Sequence, residues 1–375
     1  MLNMYDVVII GQGLSGLLSA IWAKEQGFHT ALVASGNGKI IQSSGVMDLI
    51  ESFDLHTHRK SQIQQSIDKF KALTKRIGYP YNGSIEIPIS MATGSGHIKQ
   101  TILYPNTIKP VPSNGHVVIV GFEEISDFQP AFIKGILQKE RPGLTIDTIK
   151  IQLGKQALRT MTQLDAARLL EQEEIRIHCI NQIKMRLKEE KIAHPELFIF
   201  PASLGVSHWK ETINQFSLEL NATITEAPGM PPNATAIRLY ECLKKEATRL
   251  GVRFYADTKV VGCKLTGENI QAIQIKNSSQ QVSELSGLQF ILATGGILGG
   301  GLEITPEGLK ETALGFQVNE DGELLDCPRN LFTIGASNGI KTTKYGITGG
   351  MYTIINSHET INKLQQTVLG GVGSA

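Results

Sequence analysis

The sequence predicts an α/β chain in which a Rossmann-like nucleotide-binding domain is interrupted by an inserted α/β lobe. Three observations carry this expectation. A strand, a glycine turn and a helix open the chain, and two further strand-and-glycine signatures lie near its end. The stretch between them alternates helical and strand-like runs and carries no nucleotide signature. The nucleotide domain is therefore expected from residues 1–60 plus 225–375, and the inserted lobe from residues 61–224.

YDVVII, residues 5–10, is a continuous apolar run of strand length, after which Leu14, Leu17, Leu18 and Ile21 recur at helical spacing up to Gly27. HTALVAS, residues 29–35, is a second short strand, which completes a βαβ unit. Residues 52–78 are polar and read as helix. Residues 79–115, rich in Pro, Gly, Ser and Thr, read as short strands and loops. GHVVIVGF (115–122) begins a second α/β segment, followed by helical stretches around 126–140 and 162–192 and the apolar run LFIFPASLGV (197–206). From about residue 233, ATAIRLYECLKKEATRLGV is a strongly periodic helix ending at Gly251. FYADTKVVGCKL, NIQAIQIKN and LQFILATGG then read as strands, NLFTIGA (330–336) as another, and GGMYTIINSHETINKL (349–364) as a closing helix.

Composition excludes several classes. Lys and Arg number 36 against 35 Asp and Glu, a net charge of +1, which is too balanced for a nucleic-acid partner held by bulk electrostatics. Cys179, Cys242, Cys263 and Cys327 form no CxxC pair, so no zinc or iron–sulfur ligand set is expected and a reduced, cytoplasmic compartment fits. The N-terminus lacks a basic n-region, and no window supplies roughly 18 uninterrupted apolar residues for a membrane span. Membrane association is therefore expected only at the cytoplasmic face and through a partner.

Gly11, Gly13 and Gly16 match GxGxxG: Gly11 permits the turn, Gly13 lets a phosphate approach the backbone, and Gly16 allows close helix packing. A phosphate would then sit on the N-terminus of the helix, where free N–H groups and the dipole favour an anion. In adenine dinucleotide folds an acid at the end of the second strand accepts bonds from the ribose hydroxyls. Here that strand end reads Val33, Ala34, Ser35, Gly36, and the next acid is Asp48. The adenosine half of FAD or NAD lacks its usual anchor, unless Ser35 or a backbone group substitutes. LQFILATGG is a strand running into ATGG, a late signature of flavoproteins with a two-part nucleotide domain.

Taken together, IIGQGLSGLL, QSSGVMDL (42–49), FPASLGV (200–206), PGMPPNATAIRL (228–239), LATGGILGGGL (292–302) and NLFTIGA resemble the B-type subunit family of anaerobic glycerol-3-phosphate dehydrogenase over nearly the whole chain. More broadly the chain resembles flavoprotein subunits of the fumarate reductase and succinate dehydrogenase superfamily. The resemblance implies an FMN-bearing subunit, with FAD as the alternative, that oxidises glycerol 3-phosphate to dihydroxyacetone phosphate or relays its electrons. It also implies an FAD-bearing A-type partner and an iron–sulfur C-type partner that anchors the complex and passes electrons to quinone. FMN has one phosphate and no adenosine, which accounts for the missing acid.

With the glycine signatures, the resemblance nominates Gly11, Gly13, Leu14, Ser15, Gly16, Ser43, Ser44, Gly45, Ala293, Thr294, Gly295, Gly335, Gly349 and Gly350 as cofactor-binding. A phosphate ester calls for Arg or Lys, and Arg238, inside the matching PGMPPNATAIRL, is the catalytic candidate, with a structural role on its helix as the favoured alternative. His97, His208, Lys341 and Lys344 lie in loop-like segments and read as solvated. The family's cysteine-containing loop before the last helix is replaced by KTTKYGITGGMYT (341–353), and little chain lies between Gly301 and Asn330. Two other functions stay open: a self-sufficient flavin oxidoreductase of the fumarate reductase type, and a non-catalytic assembly subunit with a degenerate flavin fold.

Overall fold

A computed structural model describes residues 4–48, 59–154, 160–319, 322–338 and 349–372. The chain forms two compact units, one of Met1–Ile40, Met47–Gly78 and Tyr240–Ala375, the other of Ile41–Val46 and Tyr79–Leu239.

The first unit is built on β1 (Tyr5–Ile10), α1 (Leu14–Glu25) and β2 (Thr30–Val33). Val7, Val8, Ile9 and Ile10 are all buried, so both faces of β1 are covered and the strand is uniformly apolar rather than alternating. β2 and then Arg253–Tyr255 pair parallel on one side of β1, and Val282–Leu292 pairs parallel on the other. That long strand has two halves. Val282–Ser286 runs antiparallel to Ala272–Lys276, and from Gly287, opposite Tyr5, the strand follows β1 to Leu292, opposite Ile10. At the changeover a Cβ on Gly287 would lie 2.7 Å from a Val8 methyl, so only glycine fits without displacing that side chain. The strand thus begins six residues before the apolar LQFIL that announces it, because its polar first half is held by the Asn269–Lys276 strand. Leu331–Thr333 pairs parallel with Phe290–Leu292, giving five parallel strands with an antiparallel extension.

Helix α2 (Arg59–Arg76) belongs to this unit rather than to the inserted lobe expected from residue 61. Its Arg76 bonds to Glu25 of α1 and, at 3.3 Å, to Glu246. Its Ser66 meets His358 of the closing helix Gly350–Val372. At the other boundary, residues 225–239 go with the second unit, and the division falls between Leu239 and Tyr240 inside the single helix Ala234–Arg249.

The second unit carries a parallel sheet in the order Thr223–Ala227, Leu197–Pro201, Gly115–Phe122, Leu144–Ile151. Helices Pro130–Glu140, Glu173–Glu189 and Trp209–Leu220 connect these strands, and Val117 to Val120, Phe122, Phe198, Phe200 and Phe216 are fully buried in its core. After Leu197–Pro201 the backbone N–H groups are taken by the unit's own side chains. Ala202 donates to Gln163, Leu204 to Glu226, and Val206, Ser207 and His208 all donate to the Glu171 carboxylate.

His358 ties three helices of the first unit. Ser66 donates its one proton to the Gln62 carbonyl, so its oxygen accepts from His358 Nδ1–H. Asn362 donates to Nε2 while its own oxygen accepts from Gln26, just past the end of α1, and the Trp22 ring of α1 stacks edge-on. A second ring proton would face the Asn362 N–H. Burial, reinforced by Lys69, holds the imidazole below its ordinary value of 6.5. In the unfolded chain His358 gains a proton as pH falls through about 6.5, whereas the folded ring resists until lower pH, so stability is lost across that window. Melting temperatures of wild type and His358→Gln measured from pH 7.5 to 5 are expected to converge toward acid, wild type falling more steeply. Parallel curves would show that His358 does not set this slope.

Candidate functional site

β1 has β2 on one side and Val282–Leu292 on the other, so their carboxyl ends form the switch-point crevice where open parallel sheets bind ligands. Three distant glycine segments meet there. Gly11 has φ +114°, and a Cβ on it would lie 2.2 Å from the Ala293 carbonyl oxygen. The Ala293 N–H bonds to the Ile10 carbonyl at 2.7 Å. A Cβ on Gly16 would lie 1.9 Å from the Gly11 oxygen, and one on Gly335 2.9 Å from Ser15 Oγ. The Ile334 N–H and the Ser337 hydroxyl both bond to the Leu292 carbonyl, which fixes Gly335 beside α1. Thr294 reaches toward the buried Glu311, whose carboxylate accepts from the Ala313 and Leu314 N–H groups and which burial shifts upward in pKa.

Gly13 differs from its neighbours. A Cβ there would meet nothing within 4 Å, and its φ is an ordinary −74°. No packing of the protein against itself requires glycine at this position. Gly13 caps α1 without a side-chain hydrogen bond and no acid stands in the first turn, so the first-turn N–H groups at Leu14, Ser15 and Gly16 are left for an anion. The open face at Gly13, the bare helix N-terminus and the convergence of Ala293, Thr294, Gly295 and Gly335 fit a nucleotide phosphate and the ring system beyond it.

Beside this loop lies a polar triad that no motif marks. Gln12, 5% exposed, donates from Nε2 to Asn37 Oδ1 at 3.1 Å and to the Tyr240 hydroxyl at 2.8 Å. Tyr240 in turn donates to Asn37 Oδ1 at 2.8 Å, and Gln12 Oε1 is buried with no partner. The only signal of it in the sequence is the polar residue between Gly11 and Gly13.

Other candidates fall elsewhere. Gly350 opens the closing helix, where the Met47 sulfur fills the space of its missing side chain, and Gly349 beside it faces open space. Ser43, Ser44 and Gly45 belong to the second unit: Asn233 and Thr235 bond the carbonyls of Ser43 and Ser44, and Tyr81 bonds that of Gly45 at 2.5 Å. His97 pairs with Glu140, and His208 with Glu211, on exposed parts of that unit. Leu49, Lys341 and Lys344 lie outside the described residues.

Arg238 corrects the catalytic assignment. It is 1% exposed, and its five donors go to Glu226 (2.6 and 2.9 Å), to Gly205 O from both Nε and Nη2, and to Thr107 Oγ1. Burial alone disfavours its charge, but Glu226 and Tyr79 together outweigh this and hold the guanidinium above its ordinary value. No donor is left for a substrate. Its place on one helix, with a proline-rich segment before it, gave no sign of the Glu226 partner a strand away.

Among the described residues no helix is long and apolar enough to cross a membrane, and no group of three or more His, Cys, Asp or Glu could hold a metal ion.

Residues 6–79 match the family model described as "FAD binding domain", so the chain carries a flavin-binding domain of the Rossmann-like type. The chain is 26% identical over 342 residues to the B-type subunit of anaerobic glycerol-3-phosphate dehydrogenase from Actinobacillus pleuropneumoniae serotype 5b, covering 82% of this chain and 78% of the relative. It is 25% identical over 346 residues to the protein of the same name from Yersinia pestis bv. Antiqua, covering 84% and 80%. A solved flavocytochrome c3 fumarate reductase aligns with a TM-score of 0.34 at 11% identity, over 78% of this chain and 34% of that one.

Gly13→Ala separates ligand from packing. It is expected to change stability by no more than about 1 kcal/mol while weakening flavin retention at least tenfold. Gly16→Ala, which forces a Cβ onto the Gly11 carbonyl, is expected to cost about 1–3 kcal/mol or more. Urea unfolding and flavin titration of both variants check this; undiminished flavin binding by Gly13→Ala would show that nothing approaches that face.

Proposed function

We propose that this chain is the FMN-bearing subunit of a quinone-linked, anaerobic-type glycerol-3-phosphate dehydrogenase, and that it relays electrons from a partner that binds the substrate. One observation carries the FMN reading. The glycine loop keeps its open phosphate face at Gly13, while the loop after β2, Ser35 to Lys39, is exposed and holds no carboxylate to receive an adenosine ribose.

A bound flavin supplies a two-electron acceptor that can return electrons singly. Gly13 and the N–H groups of the first turn of α1 would hold its phosphate, and Ala293, Thr294, Gly295 and Gly335 would line the crevice beyond. The relay reading draws on the arginines. Both buried ones among the described residues are committed: Arg238 as above, and Arg176 to Gln215 and the Leu170 and Glu171 carbonyls. Arg238 has no donor left to clamp a phosphate ester. The names of the relatives support a multisubunit setting; the proposal completes it with an FAD-bearing A-type subunit taking the substrate and an iron–sulfur C-type subunit at the cytoplasmic membrane face taking the electrons.

The test begins with the cofactor. Denaturing the purified holoprotein and weighing what it releases is expected to give FMN; FAD would mean that another group replaces the ribose acid. Anaerobic addition of glycerol 3-phosphate should leave the flavin spectrum of this chain alone oxidised and bleach it once the A-type subunit is present. Bleaching of the isolated chain would place substrate oxidation here and end the relay reading.

A further inference from the structure

We infer that Asn37 turns the loop after β2 into a receptor for a terminal phosphate, and so selects a mononucleotide over a dinucleotide; this rests on the FMN reading above. Dinucleotide folds place a carboxylate, an acceptor for two ribose hydroxyl donors, at the end of the second strand; this chain has none there, and four residues past that strand its loop presents Asn37, an amide whose acceptor is already used. Asn37 Oδ1 receives both Gln12 Nε2–H and the Tyr240 hydroxyl proton. Its exposed Nδ2 is therefore the end left to meet a ligand, and Nδ2 only donates. The opposite assignment, with Gln12 and Asn37 both flipped, would bury the two Gln12 amide protons without an acceptor, which costs more than the single unpaired oxygen now present.

The same loop is pressed onto the phosphate site. Gly38, at φ +70°, lies so close to the glycine loop that a Cβ on it would fall 2.7 Å from the Gly13 Cα. Asn37 is thereby held next to Gly13, and Lys39 follows it. Lys39 is exposed, makes no ion pair among the described residues, and its Cγ lies 3.9 Å from where a Cβ on Gly299 would sit, beside the ATGG segment. At this point the chain offers an amide donor and a positive charge and no carboxylate. A ribose diol needs an acceptor, whereas a phosphate monoester carrying about −1.5 to −2 charges at pH 7 needs donors. A diphosphate linking onward to adenosine would carry less charge per phosphate and would bring its diol to a loop without a carboxylate.

The test is titration of the apoprotein with FMN, riboflavin and FAD, followed by quenching of flavin fluorescence. Riboflavin lacks the phosphate and reports on the ring site alone. Asn37→Asp keeps the oxygen that Gln12 and Tyr240 bond, so the loop stays in place, but replaces the donor with an acceptor and a negative charge. It is expected to weaken FMN at least tenfold, to change riboflavin less than threefold, and to narrow the FMN-to-FAD preference. Lys39→Gln is expected to weaken FMN severalfold and to flatten its salt dependence, again sparing riboflavin. Equal loss of FMN and riboflavin, or no loss of either, overturns the role of Asn37. Tighter wild-type binding of FAD than of FMN overturns the mononucleotide reading itself, whatever the variants do, and a wild type that binds no flavin overturns both.

Discussion

The nucleotide end of this molecule depends on one approach of backbone to backbone, that of Gly11 against Ala293. It brings the first strand and one of the last into a single sheet. The contact is possible only because Gly11 lacks a Cβ and adopts a positive φ that other residues rarely take. From it follow the position of Gly16 on the Gly11 carbonyl, the hydrogen bond from Ala293 to Ile10, and the seating of Gly335 on Ser15. A side chain at Gly11 would push apart strands whose pairing spans most of the sequence. Because loop-closure cost rises only slowly with length, a whole second unit can be carried between those strands without weakening their register much.

What the sequence made legible was what glycine spacing and apolar periodicity encode. The βαβ opening, the ATGG strand and the closing helix all stand where those signals put them, since they rest on backbone approach and on strands buried on both faces. Pair interactions were not legible. Arg238 and Glu226 read as one charge on a helix and one at a strand end, and nothing local shows that each satisfies the other in a fully buried pair. The unit boundaries were missed for a related reason. Helix α2 is polar enough to belong anywhere by composition, and Ser66, Arg76 and their partners on distant helices decide where it packs. The triad of Gln12, Asn37 and Tyr240 joins three segments through hydrogen bonds alone, so neither spacing nor hydropathy marks it.

The two units also show why a parallel sheet by itself does not make a binding site. The second unit has its own switch point, with Leu144–Ile151 on one side of Gly115–Phe122 and Leu197–Pro201 on the other, and a helix beginning soon after the latter. By topology alone an anion would be expected there as well. Yet Glu171 takes the N–H groups of Val206, Ser207 and His208, Glu226 takes that of Leu204, and Gln163 that of Ala202. Those carboxylates supply from within the chain the negative charge that a ligand would bring, and the loop has no need of glycine at an open face. In the first unit the balance is reversed: α1 starts at an uncapped Gly13 with no acid in its first turn. Backbone donors at a buried helix start must find an acceptor, and where the chain withholds one, the acceptor comes from outside. That asymmetry, rather than the fold the two sheets share, is what favours the first unit for the flavin phosphate.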